Sequence, residues 1–257
     1  MQLKNNYWYF QSTFSPEICQ NIVSLGKNKI DLLKKQGVST QALTRGDNQK
    51  KDDTQIPQND KTVEDLSKET NISIKDIEEK SYVRDSEIAW FSQNNEKWIY
   101  DLVVPKVLEA NKLSGWKYDI DAFEEMQFTV YHPGGFYGWH ADGGGDHFAV
   151  YKKFIEGIQE KDNNKYPDGY TKNSNHVGKV RKISVTINLN APGEYEGGNL
   201  KFDFGPHNLG ERFRECVEIR PQGSMIVFPS YIHHQVTPIT KGTRYSLVLW
   251  CLGKPFR

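Results

Sequence analysis

Two rhythms of apolar and polar positions divide this chain near Phe123. Ahead of it a helical repeat prevails. Tyr7-Trp8-Tyr9-Phe10 reads as a short first strand. Ser15-Pro16-Glu17 then opens a helix, with serine as N-cap, proline at the first helical position and an acid in the first turn. Ile18, Ile22, Leu25, Ile30 and Leu33 form its apolar stripe, so it should pack on a core. A second helix is expected over about Asn95 to Lys112, with Ile99, Leu102, Val103, Val107 and Leu108 on its packed side and Gly115 closing it. Between the helices, Glu79–Phe91 reads as a strand and its exit. Gln41 to about Glu79 holds few large apolar residues and reads as a surface excursion, either a solvated loop or a lid over a substrate.

From Phe123 onward the apolar positions come in short alternating runs separated by Gly, Pro and Asn. The expected strands are Met126–Tyr131, Trp139–Asp142, Ile183–Leu189, Leu200–Phe204, Cys216–Ile219, Ser224–Phe228, His234–Pro238 and Arg244–Cys251. Helices followed by strands predict an α+β, mainly β domain. It would be an antiparallel sandwich or jelly roll in which residues 1–122 support a core of 123–257. Alternation puts Gln127, Thr129 and Tyr131 on one face of their strand, opposite Met126, Phe128 and Val130. In the last strand Arg244, Ser246, Val248 and Trp250 oppose Tyr245, Leu247, Leu249 and Cys251. Polar residues on the inner face of a small barrel need partners, so these read as a pocket lining; facing water is the plainer alternative. A second long insertion, about 143–182, starts with Gly143-Gly144-Gly145 and reads either as an active-site flap or as a passive surface loop.

Composition narrows the function classes. The 257 residues carry no formal net charge, so nothing draws the whole molecule to nucleic acid or an anionic membrane. Cys19, Cys216 and Cys251 are widely separated and odd in number, which predicts no disulfide framework and a reducing, cytoplasmic setting. No window approaches the ~18 apolar residues of a membrane span, and Met1 to Trp8 lacks the apolar core of a signal peptide.

The candidate chemistry lies in Tyr131-His132-Pro133-Gly134-Gly135-Phe136-Tyr137-Gly138-Trp139-His140-Ala141-Asp142. In an extended segment His140 and Asp142 point to the same side, placing an imidazole beside a carboxylate. A second histidine from another strand would complete a 2-His-1-carboxylate triad, the ligand set of non-haem Fe(II) oxygenases. Phe228–Pro238 offers both His233 and His234, and periodicity alone does not choose between them. Arg244 follows ten positions after His234.

Tyr131-x-Pro133-Gly134-Gly135-x-x-x-x-His140-x-Asp142, then His234-x-Val236, then Arg244, resembles the prolyl 4-hydroxylase-like branch of the 2-oxoglutarate/Fe(II) dioxygenases. The resemblance runs from about Phe123 to Trp250. It implies a double-stranded β-helix with Fe(II) held by His140, Asp142 and His234. It implies 2-oxoglutarate gripped at its distal carboxylate by Arg244 and Tyr131, with Ser246, Thr243 and Gln127 as further cofactor-side residues and ascorbate as an auxiliary reductant. Arg84, Trp90 and Tyr137 are the substrate-side candidates, and Trp139 should turn away from the metal. Glu196-Gly197-Gly198-Asn199-Leu200 resembles the family's Gly-Gly turn beside the site. His132, His147, His176 and His207 have no partners at ligand spacing and read as ordinary polar histidines.

The implied reaction is hydroxylation of a peptide or free amino acid, above all at proline, with 2-oxoglutarate and O2 converted to succinate and CO2. A carboxylate at 142, rather than Gly or Ala, suits hydroxylation and not halogenation. Related dioxygenases that repair nucleic acid bases usually carry a second arginine six residues after the one matching Arg244. Trp250 stands there, which counts against nucleic acid as partner. A non-catalytic metal-binding jelly-roll module is the competing reading from outside enzymology.

Overall fold

The computed structural model describes residues 5–42, 84–143, 150–154, 170–171, 173–205 and 212–256. In chain order the N-terminal part contributes β1 (Trp8–Phe10), α1 (Pro16–Lys35), β2 (Arg84–Asp85), β3 (Glu87–Phe91), α2 (Lys97–Leu113) and β4 (Ala122–Phe123). The remainder contributes β5 (Met126–Tyr131), β6 (Phe136–His140), β7 (Lys153–Phe154), β8 (Tyr170–Thr171), β9 (Val180–Asn188), β10 (Tyr195–Gly197), β11 (Leu200–Asp203) and β12 (Phe213–Glu215). It ends with β13 (Met225–Pro229), β14 (His233–Val236), β15 (Ile239–Gly242) and β16 (Arg244–Gly253). A seven-stranded antiparallel sheet runs β1-β13-β9-β16-β5-β3, with β4 attached to β16; a five-stranded sheet runs β12-β11-β14-β6-β2. The segment before Phe123 therefore supplies both edges of the larger sheet. This is the expected jelly roll. No helix among the described residues is long and apolar enough to cross a membrane.

Each face of the larger sheet has its own partner. Phe128, Val130, Val185, Leu247 and Leu249 share one buried apolar cluster with Ile22, Val23, Ile99 and Val103 of the two helices. The Ser15 side chain caps α1 by accepting the Ile18 amide at 3.3 Å, and Gly115, at φ 82°, ends α2 as expected. The opposite face meets the smaller sheet. At one end that contact is apolar, with Ile226 and Phe228 against Leu200, Phe202 and Ile232. At the other it is polar, yet Gln127, Thr129, Thr186, Arg244 and Ser246 are all at most 9% exposed. The polar face lines an interior and does not look out to water.

The structure departs from expectation in several places. Cys216–Ile219 is not a strand: β12 ends at Glu215, and Val217–Ile219 is a 3-10 turn. Its buried residues, Cys216 and Ile219, are three apart, which suits a three-residue repeat and not alternation. Leu102 and Leu108 are 37% and 48% exposed, off the packed face of α2. At 3.6 residues per turn Leu108 lies about half a turn round from Ile99. β6 stops at His140, so Asp142 lies beyond the strand. The 41–79 excursion falls almost wholly outside the described residues, as does much of the proposed flap, together with His147 and His207.

One helical glycine sets the distance between α1 and the sheet. A Cβ on Gly26 would overlap the ring of Phe128, which is fully buried. Gly26→Ala improves intrinsic helix propensity by about 1 kcal/mol, but overpacking of this kind costs about 1–3 kcal/mol. The expected outcome is a net loss of stability in urea denaturation. A stabilised variant would show that the helix can lift off the sheet at little cost.

Candidate active site

The two histidines meet across a strand pair. In the β14–β6 ladder His234 stands opposite His140. Asp142 reaches back from beyond the strand, with its two carboxylate oxygens each 3.6 Å from one Nε2, of His140 and of His234. The three ligand atoms lie within 4.8 Å of one another. Each histidine donates its Nδ1–H to a backbone carbonyl two residues earlier: His140 to Gly138 at 2.7 Å, His234 to Ile232 at 3.0 Å. That bond selects the tautomer whose Nε2 lone pair is free and aims it at the cluster. Two such nitrogens and one carboxylate fit a ferrous ion. Periodicity alone does not choose between the neighbouring histidines and the resemblance points to His234; in the structure His234 joins the cluster, while His233 is exposed on the opposite side of the strand. Trp139 likewise turns outward, its ring 5.8 Å from that of the exposed Phe213.

Electrostatics prepare this set for a cation. Burial alone would raise the Asp142 carboxyl, but the charges of His234, His140 and Arg181 outweigh it and hold the group well below the usual carboxylate range. Burial, reinforced by His140 and opposed by Asp142, pushes the His234 imidazole down to about 4. At neutral pH the cluster therefore offers an ionised carboxylate and a neutral His234, the ligand forms that need no proton release.

The second feature is an unpaired cation. Arg244 is 1% exposed and sits opposite Tyr131 in the β16–β5 ladder, its guanidinium 5.4 Å from the Tyr131 ring centre. It donates to Ser246 Oγ at 3.4 Å, and its Nε has no partner. Among the described residues no carboxylate lies within ion-pair distance of it. A buried charge left this way costs several kcal/mol, so the site is built for an anion. The wall beside it is main chain: a Cβ on Gly198, which has φ 60°, would lie 3.0 Å from Arg244 Cδ. The Tyr195 hydroxyl nearby is also buried without a partner.

The other expected residues divide. Ser246 belongs to the Arg244 site. Thr243 does not: it stands outside β16, off the alternation facing the pocket, and its carbonyl accepts from Asn190 at 2.9 Å. Gln127 lies on the inner face, but its Oε1 already accepts from Arg84 at 2.7 Å and Thr129 at 3.3 Å. Arg84 is buried, with its guanidinium 4.6 Å over the Tyr137 ring; that ring stacks on His140 at 3.4 Å. Burial pushes the Tyr137 phenol up to about 12. Trp90 is half-buried beside Trp250, their ring centres 6.2 Å apart. Sequence reading passed over Thr186 and Ser184, although their alternation with Val185 and Ile187 was there to see. It also passed over Glu124 and Arg181, which no local pattern marks. His176 is a buried structural histidine bonded to Thr171 and the Phe123 carbonyl, and His132 pairs with Glu87 at 3.0 Å.

Residues 126–252 match the model of the 2OG-Fe(II) oxygenase superfamily. A PKHD-type hydroxylase of Burkholderia ambifaria is 35% identical over 99 residues, 34% of this chain and 40% of that protein. The matched stretch thus spans well under half of that relative's own length. Among solved structures, a prolyl hydroxylase from Trichoplax adhaerens in complex with a hypoxia inducible factor peptide fragment superposes with TM-score 0.55 at 14% identity, over 96% of this chain and 84% of that one. The viral collagen prolyl hydroxylase of Paramecium Bursaria Chlorella virus-1, in its 2OG complex, gives 0.53 at 16% identity, over 97% of each chain.

The His234 shift carries a prediction for the metal-free protein. An unfolded histidine titrates near 6.5 and the folded one near 4. Between these values the unfolded state binds more protons, so stability falls as pH is lowered through that window. Urea denaturation in chelator should show this fall, with a shallower slope for His234→Gln. Equal slopes would remove His234 as its source.

Proposed function

Because residues 126–252 match the model of the 2OG-Fe(II) oxygenase superfamily, we propose that the protein is an Fe(II)- and 2-oxoglutarate-dependent hydroxylase whose substrate is a peptide, modified at proline. The observation that carries this reading is Arg244, a buried guanidinium on the sheet that faces the His140–Asp142–His234 cluster, with no counter-charge among the described residues. A guanidinium binds a carboxylate as a fork, in charge-assisted bonds. His140, Asp142 and His234 would hold the metal; Arg244 and Tyr131, with Ser246 beside them, would hold the distal carboxylate of 2-oxoglutarate. Bound together, the two groups supply oxidative decarboxylation to succinate and CO2, coupled to hydroxylation of a substrate C–H bond.

The protein's own part is binding and orientation. The Gly138 and Ile232 carbonyls keep both imidazoles in the metal-binding tautomer. Tyr137, stacked on His140 and covered by Arg84, limits rotation of that ligand. Arg84, Tyr137 and Trp90 form the substrate side of the reading. The half-buried Trp90 beside Trp250 offers an aromatic surface suited to an apolar ring such as proline. The Burkholderia ambifaria relative is named a PKHD-type hydroxylase, which supports hydroxylation, and Trp250 in place of a second arginine favours a peptide over a nucleic acid base. A reducing, cytoplasmic setting and stimulation by ascorbate belong to the same reading; the three cysteines are free and buried.

Succinate formation from 2-oxoglutarate and Fe(II) in air tests it. The wild type should turn over slowly without substrate and faster with proline-containing peptides, with one oxygen atom added to the peptide by mass spectrometry. His140→Ala should abolish both. Arg244→Ala should raise the KM for 2-oxoglutarate about ten- to hundredfold, the loss of one or two charge-assisted bonds, while leaving Co(II) affinity within about twofold. If iron-loaded wild type fails to bind 2-oxoglutarate anaerobically, the non-catalytic metal-binding module takes its place.

A further inference from the structure

The Asp142 ligand has no place in the sheet's hydrogen bonding. β6 ends at His140, so the ladder that positions His140 and His234 does not position the carboxylate. What holds it is the peptide group that follows. The Asp142 carbonyl accepts from Arg181 Nη1 at 3.3 Å, and the Gly143 amide donates to the Ser230 carbonyl at 3.1 Å. A Cβ at Gly143 would come within 3.1 Å of Arg181 Cβ, so the backbone there lies flat against the Arg181 strand. Arg181 is itself fixed. Its Nε and Nη2 each donate to a Glu124 carboxylate oxygen at 2.6 Å, and its guanidinium lies 3.9 Å from the Trp250 ring centre. Glu124 also accepts from the Tyr151 hydroxyl at 2.9 Å. Arg181 is partly buried and Glu124 largely so, with side chains 24% and 10% exposed.

We infer that Arg181 is the positioning residue of the metal centre: oriented by Glu124 and, through it, by Tyr151, it fixes the Asp142–Gly143 peptide and so the direction of the carboxylate ligand. The inference rests on reading His140, Asp142 and His234 as metal ligands. A planar fork suits the task, since two nitrogens are committed to Glu124 while a third is held towards the Asp142 carbonyl; a lysine ammonium cannot do both in fixed geometry. Groups that orient ligands without touching the metal typically change metal affinity ten- to hundredfold when removed.

The test uses Co(II) alone, without 2-oxoglutarate or substrate, on the metal-free protein. The variants are Arg181→Lys, Tyr151→Phe and the double variant Arg181→Met with Glu124→Gln, which leaves no lone buried carboxylate. Thermal unfolding reports whether each is folded; titration and the visible Co(II) absorption report the site. The double variant should bind about ten- to hundredfold more weakly, with an altered Co(II) spectrum. Arg181→Lys should fail to restore either property, and Tyr151→Phe should show a smaller loss of the same kind. A folded double variant with wild-type affinity and spectrum would reduce Arg181 to a structural ion pair. Should the double variant not fold, wild-type behaviour of Arg181→Lys overturns the inference equally. Wild type that binds no Co(II) removes the metal-centre reading itself.

Discussion

A charge enclosed by protein must be answered by another charge, and among the described residues the Arg244 guanidinium has none. Much of the interior follows from that. The larger sheet turns an apolar face to two helices and a polar face to the smaller sheet, so the polar face cannot be relieved by water. An oily filling closes one end of the sandwich, where Phe228 packs its ring 4.7 Å from that of His234. The other end is left for something polar and negatively charged.

The metal cluster and Arg244 are carried by different sheets, which Tyr131, Val236 and Tyr137 join in one apolar cluster. Arg84 spans the gap by donating to Gln127 while covering Tyr137. The turn at Ser230 does the same on the other side. Its carbonyl holds the Gly143 amide, its hydroxyl is 2.9 Å from that of Ser184, and Ile232, two residues on, orients His234. One short turn thus steadies two of the three ligands, and local disturbance there would be felt by both.

The catalytic reading was legible in the sequence because its parts are local. His140 and Asp142 are two residues apart, Arg244 follows His234 by ten positions, and alternation sorted Gln127, Thr129 and Tyr131 from Phe128 and Val130. The α1 cap was legible for the same reason. What escaped was long-range or came from a repeat other than the one assumed. Arg181 meets Glu124 across 57 residues of sequence. Asp142 lies past the end of its strand, so alternation alone does not explain its aim. Cys216 and Ile219 follow a 3-10 spacing, and the leucines at 102 and 108 show that an apolar side chain on a helix need not face the core. Thr243 was drawn in by its nearness to Arg244 in sequence, which the register of β16 undoes.

The order of strands in the larger sheet has a consequence for how this protein comes to exist. β16 lies at its centre, between β9 and β5, and is the last of the sheet's strands to be synthesised. β5 and β9 are made long before the neighbour that joins them, and until it arrives each exposes an unpaired edge. Folding therefore waits on distant pairings, which makes it slow and open to association on the way. Arg244, the residue that waits for an anion, opens that final strand, so the pocket and the sheet are completed by the same event.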